Sequence, residues 1–264
     1  MRDWIFWKRR SWGIESDCLD LNVIALYRAG MKFLPALFFA LCLARPATAS
    51  GLIEYHMQMK PSDSGKRVAL TFDACTGHVD DRILNALVDN KIKATIFVTA
   101  RWLKRNPQAI ITLKAHADLF EIENHGARHL PAVDEPHPVF GLAPAGSPDG
   151  VRKEVKDGAT AVETAFGHRP KWFRGAAAEY TKTSLELIRT LNFKIGGFSM
   201  SGDGGASWTV SHAEKTIAAA KDGDVVIAHI NQPTKPAGPG VVAGILKLKT
   251  EGFAFVTLNE GFKD

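Results

Sequence analysis

The residues able to do chemistry in this chain gather where apolar runs stop. Val68-Ala69-Leu70-Thr71-Phe72 leads into Asp73-Ala74-Cys75-Thr76-Gly77-His78, and Phe120–Glu123 leads into Asn124-His125-Gly126-Ala127-Arg128-His129. Trp172-Phe173 precedes Arg174-Gly175, and Val225-Val226-Ile227-Ala228 precedes His229. A carboxylate closing an apolar run adds nothing to packing, so Asp73 is a candidate general base or metal ligand; a turn or helix-capping role is its structural alternative. His125 and His129 stand four apart, a spacing that predicts two imidazoles on one face of a helical turn, placed to share one divalent cation. Two solvated surface histidines would show the same spacing. Arg174 is placed to clamp a carboxylate such as Asp73 bidentately and keep it ionised. His229 suits a general acid, against the plainer reading of a core histidine. Asp203 and Trp208 are candidate substrate-binding residues, Asp203 also a candidate partner for His229 and Trp208 a stacking surface for a sugar, both within the Gly-rich stretch from Gly202 to Trp208.

Such residues act only if a scaffold brings them together. Short β-branched or apolar runs at Val68–Ala74, Ala94–Thr99, Phe120–Glu123, Trp172–Gly175, Phe193–Phe198, Asp224–Ile230 and Phe253–Leu258 read as strands. Segments with a 3.6-residue period lie among them: Val79–Asn90, Gly150–Phe166, Lys182–Leu191, His212–Lys221 and Val241–Thr250. This alternation predicts a parallel sheet covered by helices, with a (β/α) barrel of about seven strands first and an open doubly wound sheet second. In a barrel, strand C-terminal ends carry the active site, which is where the polar clusters fall. Pro131–Pro148 has no period and reads as a long functional loop.

Composition narrows the class. The 264 residues carry a net charge of +5 and 45% hydrophobic residues. The first 49 residues hold seven Lys/Arg against four Asp/Glu, hence +3 of that charge, and no basic stripe runs through the rest. Nucleic acid is therefore not an expected partner. No P-loop or GxGxxG pattern is present. From Met31, a basic start, the apolar run Phe33–Ala44 and Ala47-Thr48-Ala49 read as a secretory signal with cleavage before Ser50. The apolar run is short of the ~20 residues a membrane span needs, so no stable span is expected after cleavage. The expected organisation is an upstream extension over 1–30 with translation starting at Met31, a signal peptide over 31–49, and one catalytic domain over 50–264, exported to the periplasm or secreted. Cys18 and Cys42 precede the cut, which leaves Cys75 as the one mature cysteine and excludes an internal disulfide.

Together the clusters resemble the polysaccharide deacetylase family, the NodB-homology carbohydrate esterases. Thr71-Phe72-Asp73-Ala74-Cys75 looks like the family's TFDDG, His125–His129 like its H-[ST]-x-x-H, and Phe173-Arg174-Gly175 like its R-x-P-y-G. Ile227-Ala228-His229 looks like its L-x-H, and Gly252–Leu258 like its closing strand. The resemblance implies a deformed (β/α) barrel, a divalent metal, usually zinc, and removal of N-acetyl groups from amino sugars of a polysaccharide or oligosaccharide. It implies Asp73 as catalytic base, His125 and His129 as metal ligands, Arg174 as the residue orienting the base, and His229 as the acid protonating the leaving amine. The family's second aspartate, its third metal ligand, is Ala74 here. Three outcomes are open: Asp73 or Cys75 enters the metal shell, His78 or His137 completes it, or the barrel is a catalytically impaired glycan-binding module. Gly126 replaces the family's Ser/Thr, and Ala176-Ala177-Ala178 replaces its Pro-aromatic-Gly segment.

Overall fold

The computed structural model describes residues 51–263 apart from Ser64. The readings on residues 1–50, including the export signal, its cleavage site, Cys18 and Cys42, lie outside the described residues. The first half of the fold comprises β1 (Ile53–Glu54), β2 (Arg67–Ala74), α1 (Asp81–Asp89), β3 (Ala94–Val98), α2 (Ala100–Arg105), α3 (Pro107–Ala115) and β4 (Phe120–Asn124). Then follow α4 (Pro148–Phe166), β5 (Trp172–Phe173), β6 (Glu179–Tyr180), α5 (Lys182–Thr190), β7 (Lys194–Ile195) and β8 (Met200–Ser201). The chain ends with α6 (Val210–Ala218), β9 (Val225–His229), α7 (Ala237–Thr250), β10 (Ala254–Val256) and α8 (Leu258–Gly261).

Eight strands make one parallel sheet in the order β7-β5-β4-β3-β2-β9-β8, with β10 added beside β2. The fold is the expected deformed (β/α) barrel. β2 lies at its centre, pairing β9 through Ala69–Asp73 on one edge and both β10 and β3 on the other. Between the ends of the sheet, Phe198 bonds to both Tyr55 and Met57, so an extended N-terminal segment sits between β7 and β8.

The alternation in β2 explains why both faces are buried. Val68, Leu70, Phe72 and Ala74 join the large cluster under the helices, with Ile96, Val98 and Ile122 from β3 and β4. Ala69, Thr71 and Asp73 face the other way, into the barrel, where Ala69 meets Phe97, Trp172 and Val225. α4 shows how the covering helices are delimited. Ser147 caps it by accepting from the Gly150 N–H at 3.1 Å, Pro148 occupies the first turn, and Gly167 ends it in the left-handed region at φ 78°. Val151, Glu154, Val155, Gly158 and Val162 form its buried face.

Some elements depart from the sequence reading. The strand expected over Phe193–Phe198 shrinks to Lys194–Ile195, because the Gly196 and Gly197 carbonyls turn to Arg174 instead of extending the ladder. α2 and α3 fill a stretch for which no helix was predicted, and β8 and the antiparallel β1–β6 pair were too short to read. α7 begins at Ala237, not Val241; its Pro239 is tolerated in a first turn whose N–H groups have no helical partner. Ser147 ends the long loop, and α4 begins at Pro148 rather than Gly150.

Candidate active site

The strand ends bring the predicted residues into one cluster. Asp73 ends β2 at 4% exposure and receives Arg174 Nη1 at 2.9 Å through Oδ1. The expected bidentate clamp is not formed. Arg174 spends its second terminal nitrogen on Thr71 Oγ1 at 2.9 Å and the Gly197 carbonyl at 2.8 Å, and its Nε on the Gly196 carbonyl at 2.9 Å. Its guanidinium also lies 4.2 Å above the Phe97 ring, which fits there because residue 196 is glycine: a Cβ would meet Phe97 Cζ at 2.4 Å. Each nitrogen of this fully buried guanidinium thus has an acceptor, as a charge in a barrel interior requires. Burial alone would raise the Asp73 carboxyl; His125, Arg174 and His229 overcome that and hold it below the ordinary carboxylate value.

His125 is fixed by its surroundings. Its backbone N–H bonds to the Val98 carbonyl at 2.9 Å, and its Nδ1–H donates to the Arg174 carbonyl at 2.7 Å. Nε2 is left facing Cys75 Sγ at 3.6 Å and Asp73 Oδ2 at 3.7 Å. His129 reaches the same place, its ring centroid 5.1 Å from that of His125. The two are not on a helical turn as predicted. The segment is irregular, with Gly126 at φ 85° and His129 at φ 64°, because the carboxylate of Glu154 organises it. Glu154 Oε1 accepts the N–H groups of Arg128 at 2.8 Å and Leu130 at 3.1 Å, and Asn124 Oδ1 accepts that of Gly126 at 2.8 Å. A Cβ at Gly126 would meet Glu154 Oε1 at 2.5 Å, so the carboxylate takes the room that the family gives to a Ser/Thr side chain.

His229 ends β9, in register with Asp73. Its Nδ1 faces both oxygens of Asp203, at 3.1 and 3.2 Å, and its backbone N–H donates to the same carboxylate at 2.6 Å. Burial opposes the imidazolium, but Asp203 outweighs it and raises His229 well above the ordinary value. Asp203 is buried and committed to His229, with a further bond from the Gly205 N–H. Both of its oxygens are thereby engaged within the protein, by His229 and the Gly205 N–H. Trp208 is half-buried, its ring against Gly204 and 4.3 Å from the His212 ring.

Cys75 is buried among the imidazoles. Burial pushes its thiol up, while hydrogen bonds to His125, His129 and His229 hold it well below the ordinary value. Ala74 points the other way, into the cluster beneath the helices. His78 and His137 are exposed. Among the described residues, Cys75, His125 and His129 form the group of three donors able to hold one metal ion, their ligand atoms all within 4.8 Å of one another. Ala177 and Ala178 adopt φ of 64° and 53° where the family carries a glycine-containing segment, and Tyr180 Oη buttresses them by accepting the Gly175 N–H at 2.8 Å.

Several residues that support the site were not singled out from sequence. Thr71 faces Arg174, and the alternation that pairs Asp73 with Cys75 on one side of β2 already put Thr71 there. Glu154 falls on the apolar stripe of α4, a position where a carboxylate signals a buried partner. Asn231, two residues past His229, is buried with neither end of its amide hydrogen-bonded among the described residues; no sequence signal marked it.

The family model for polysaccharide deacetylase matches residues 60–196, and the chain belongs to that family. A bifunctional xylanase/deacetylase of Pseudobutyrivibrio xylanivorans is 24% identical over 202 residues, covering 75% of this chain and 31% of the relative. This chain thus spans about a third of that relative's length. Among solved structures, a CE4 family pseudoenzyme from Bacillus anthracis superposes with a TM-score of 0.60 at 20% identity, over 78% of this chain and 67% of that one. A family 4 acetyl xylan esterase from Clostridium thermocellum, in complex with a cobalt ion, gives 0.61 at 27% identity, over 75% and 90%. Among the described residues, no helix is long and apolar enough to cross a membrane.

Proposed function

We propose that this chain is a metal-dependent hydrolase that removes N-acetyl or similar acyl groups from amino sugars of a polysaccharide or oligosaccharide. The observation that carries the reading is the convergence of an Arg174-held carboxylate, two histidines grouped with Cys75, and an Asp203-held histidine at the strand ends of one barrel. His125 and His129 fit a metal: the Nδ1 proton of His125 is committed to the Arg174 carbonyl, which leaves Nε2 as a lone-pair donor. A divalent cation held by them, zinc in the family's usual case, supplies Lewis-acid polarisation of the acyl carbonyl and of a water.

Asp73 takes a proton from the attacking water, whose oxygen bonds to the acyl carbon. Arg174 keeps that carboxylate ionised and fixes Oδ1, leaving Oδ2 for the proton. His229, oriented through Nδ1 by Asp203, presents its other nitrogen to the leaving amine and protonates it as the C–N bond breaks. The products are the free amino sugar and a carboxylic acid. Trp208 lies on the turn that carries Asp203, which supports a sugar contact there. The export signal over 31–49 supports action outside the cytoplasm, and a native N-terminus near Ser50 by terminal sequencing would agree with it.

Acetate release from chitooligosaccharides and peptidoglycan, with metal content measured on the same sample, tests the reading. Release that disappears in Asp73→Asn supports it. Ala74 and the likeness to a pseudoenzyme favour a second reading, a barrel that binds glycan without hydrolysing it. A protein that binds glycan equally well before and after His125→Ala, and releases nothing, supports that one.

A further inference from the structure

We propose that Cys75 replaces the missing second aspartate as the third protein ligand, making a Cys–His–His centre for a thiophilic divalent cation such as Zn(II), Co(II) or Cd(II). The inference rests on the metal-dependent reading and names the ligand that completes its site.

The first argument is spacing. Tetrahedral ligands at about 2.3 Å for sulfur and about 2.0–2.1 Å for imidazole nitrogen stand roughly 3.5 Å from each other. Cys75 Sγ lies 3.6 Å from His125 Nε2, and the Cys75, His125 and His129 donors all fall within 4.8 Å. Orientation is the second. The Nδ1–H of His125 is engaged by the Arg174 carbonyl, so the nitrogen turned toward the sulfur is the one with a lone pair.

The alternatives are placed elsewhere. Ala74 packs beneath the helices, on the opposite face of β2 from Asp73. Asp73 approaches His125 at 3.7 Å but is not part of the three-donor group, and its other oxygen is held by Arg174. His78 and His137 are exposed and also outside that group. Cys75 follows Asp73 by two residues, so the strand end that aims the base inward aims the thiol inward as well.

The substitution conserves one property of the family's shell and changes another. A carboxylate with two neutral imidazoles and a thiolate with two neutral imidazoles carry the same charge. Three protein ligands also leave a fourth tetrahedral position open in both, the arrangement of a catalytic site. Softness differs: a thiolate favours Zn(II), Co(II) and Cd(II) over Mg(II), Mn(II) and Ca(II), which carboxylate and water suit.

The test uses the full chain with Cys18→Ser and Cys42→Ser, so that Cys75 is the one remaining thiol. Cobalt(II) is added, and binding stoichiometry and the near-ultraviolet spectrum are recorded. The expected result is one cobalt per chain with a thiolate-to-cobalt charge-transfer band. Cys75→Ser should abolish the band and weaken cobalt binding by more than about 100-fold, beyond the 10- to 100-fold typical of outer-shell changes. Cys75→Asp should bind cobalt without the band and gain affinity for Mn(II) relative to Cd(II), while His137→Ala should behave like the parent. The parent's band is read without relying on any variant to fold. Stoichiometric cobalt with no charge-transfer band would overturn the assignment of Cys75 and leave the metal-dependent reading standing. A chain that binds no cobalt, with Cys75 acylated when substrate is added, would overturn both and make the thiol a nucleophile beside His229 and Asp203.

Discussion

Asp73 and Glu123 lie in one row of the sheet on either side of Phe97, both facing the interior and both almost wholly buried, yet their surroundings shift their carboxyls in opposite directions. Asp73 has a guanidinium at 2.9 Å and two imidazoles whose charge favours its ionised form. Glu123 has backbone donors, the N–H groups of Lys171 at 2.7 Å and Trp172 at 2.8 Å. Burial, helped by the nearby Glu121, pushes its carboxyl up to about 8 against those bonds. At Glu123 burial outweighs the backbone donors and the Lys171 charge, whereas at Asp73 the charges of His125, Arg174 and His229 outweigh burial. A general base must be ionised before it reacts, and for the base role proposed for Asp73 the charges of His125, Arg174 and His229 are what favour that form against burial.

The largest expected effect tests that division directly. Asp73→Asn should lower kcat by about 10²–10⁴-fold in the acetate-release assay, the usual range for losing a general base, with the circular dichroism spectrum unchanged. Glu123→Gln should leave kcat within a few-fold. Equal losses in the two variants would break the comparison. Arg174→Met comes next. It strands the Asp73 charge and removes the donors to the Gly196 and Gly197 carbonyls, at about 3–5 kcal/mol in urea denaturation.

The pH dependence of stability separates the two carboxylates by sign. Glu123 has a raised value when folded, so between about 4.5 and 8 the folded state holds a proton that the unfolded chain has released. Stability therefore falls as pH rises through that window, by up to about 1.4 kcal/mol per unit. Glu123→Gln removes the titration and should flatten this part of a stability–pH curve. Asp73 has a lowered folded value, so its contribution is present above the ordinary 3.8 and is lost as pH falls through the folded value, below the window of Glu123. A decline between pH 5 and 8 that survives in Glu123→Gln would assign it to another group.

The sequence carried the barrel because its signals are local: apolar runs ending in Asp73, Asn124, Arg174 and His229 recur at strand-helix spacing, and strand periodicity put Asp73 and Cys75 on one side. What it did not carry depends on partners distant in the chain. The His125–His129 loop looked helical by spacing alone, and only Glu154, more than twenty residues on, explains its left-handed turns. The Phe193–Phe198 strand is cut short by carbonyls that serve Arg174. α2 and α3 join through Asn106, which caps the end of one and the start of the other, so neither shows a long period of its own. The backbone N–H groups that bond to the Glu123 carboxyl come from residues nearly fifty positions away, so nothing near it in the sequence marks its burial.

The smallest prediction sets two equivalent hydroxyls against each other. Thr71 and Thr95 are direct register partners on β2 and β3, both buried, so the same substitution meets nearly the same surroundings. Thr71 Oγ1 donates to the Val226 carbonyl at 2.7 Å and accepts from Arg174 Nη2 at 2.9 Å. Thr95 Oγ1 donates to Glu121 Oε1 at 3.3 Å and accepts from the Leu258 N–H at 2.9 Å. Valine keeps the shape at either position and removes the hydroxyl, donor and acceptor alike. At 71 the bond accepted from the charged guanidinium is short and worth about 1.5–3 kcal/mol; at 95 the accepted bond comes from a neutral amide, about 0.5–1.5 kcal/mol, and the bond donated to Glu121 is long at 3.3 Å. Thr71→Val should therefore be the costlier change by about 1 kcal/mol in matched urea denaturations. Equal or reversed costs would mean that the network around Arg174 is no more demanding than the one Thr95 shares with Glu121 and Leu258, and the guanidinium charge would not be what distinguishes the two regions.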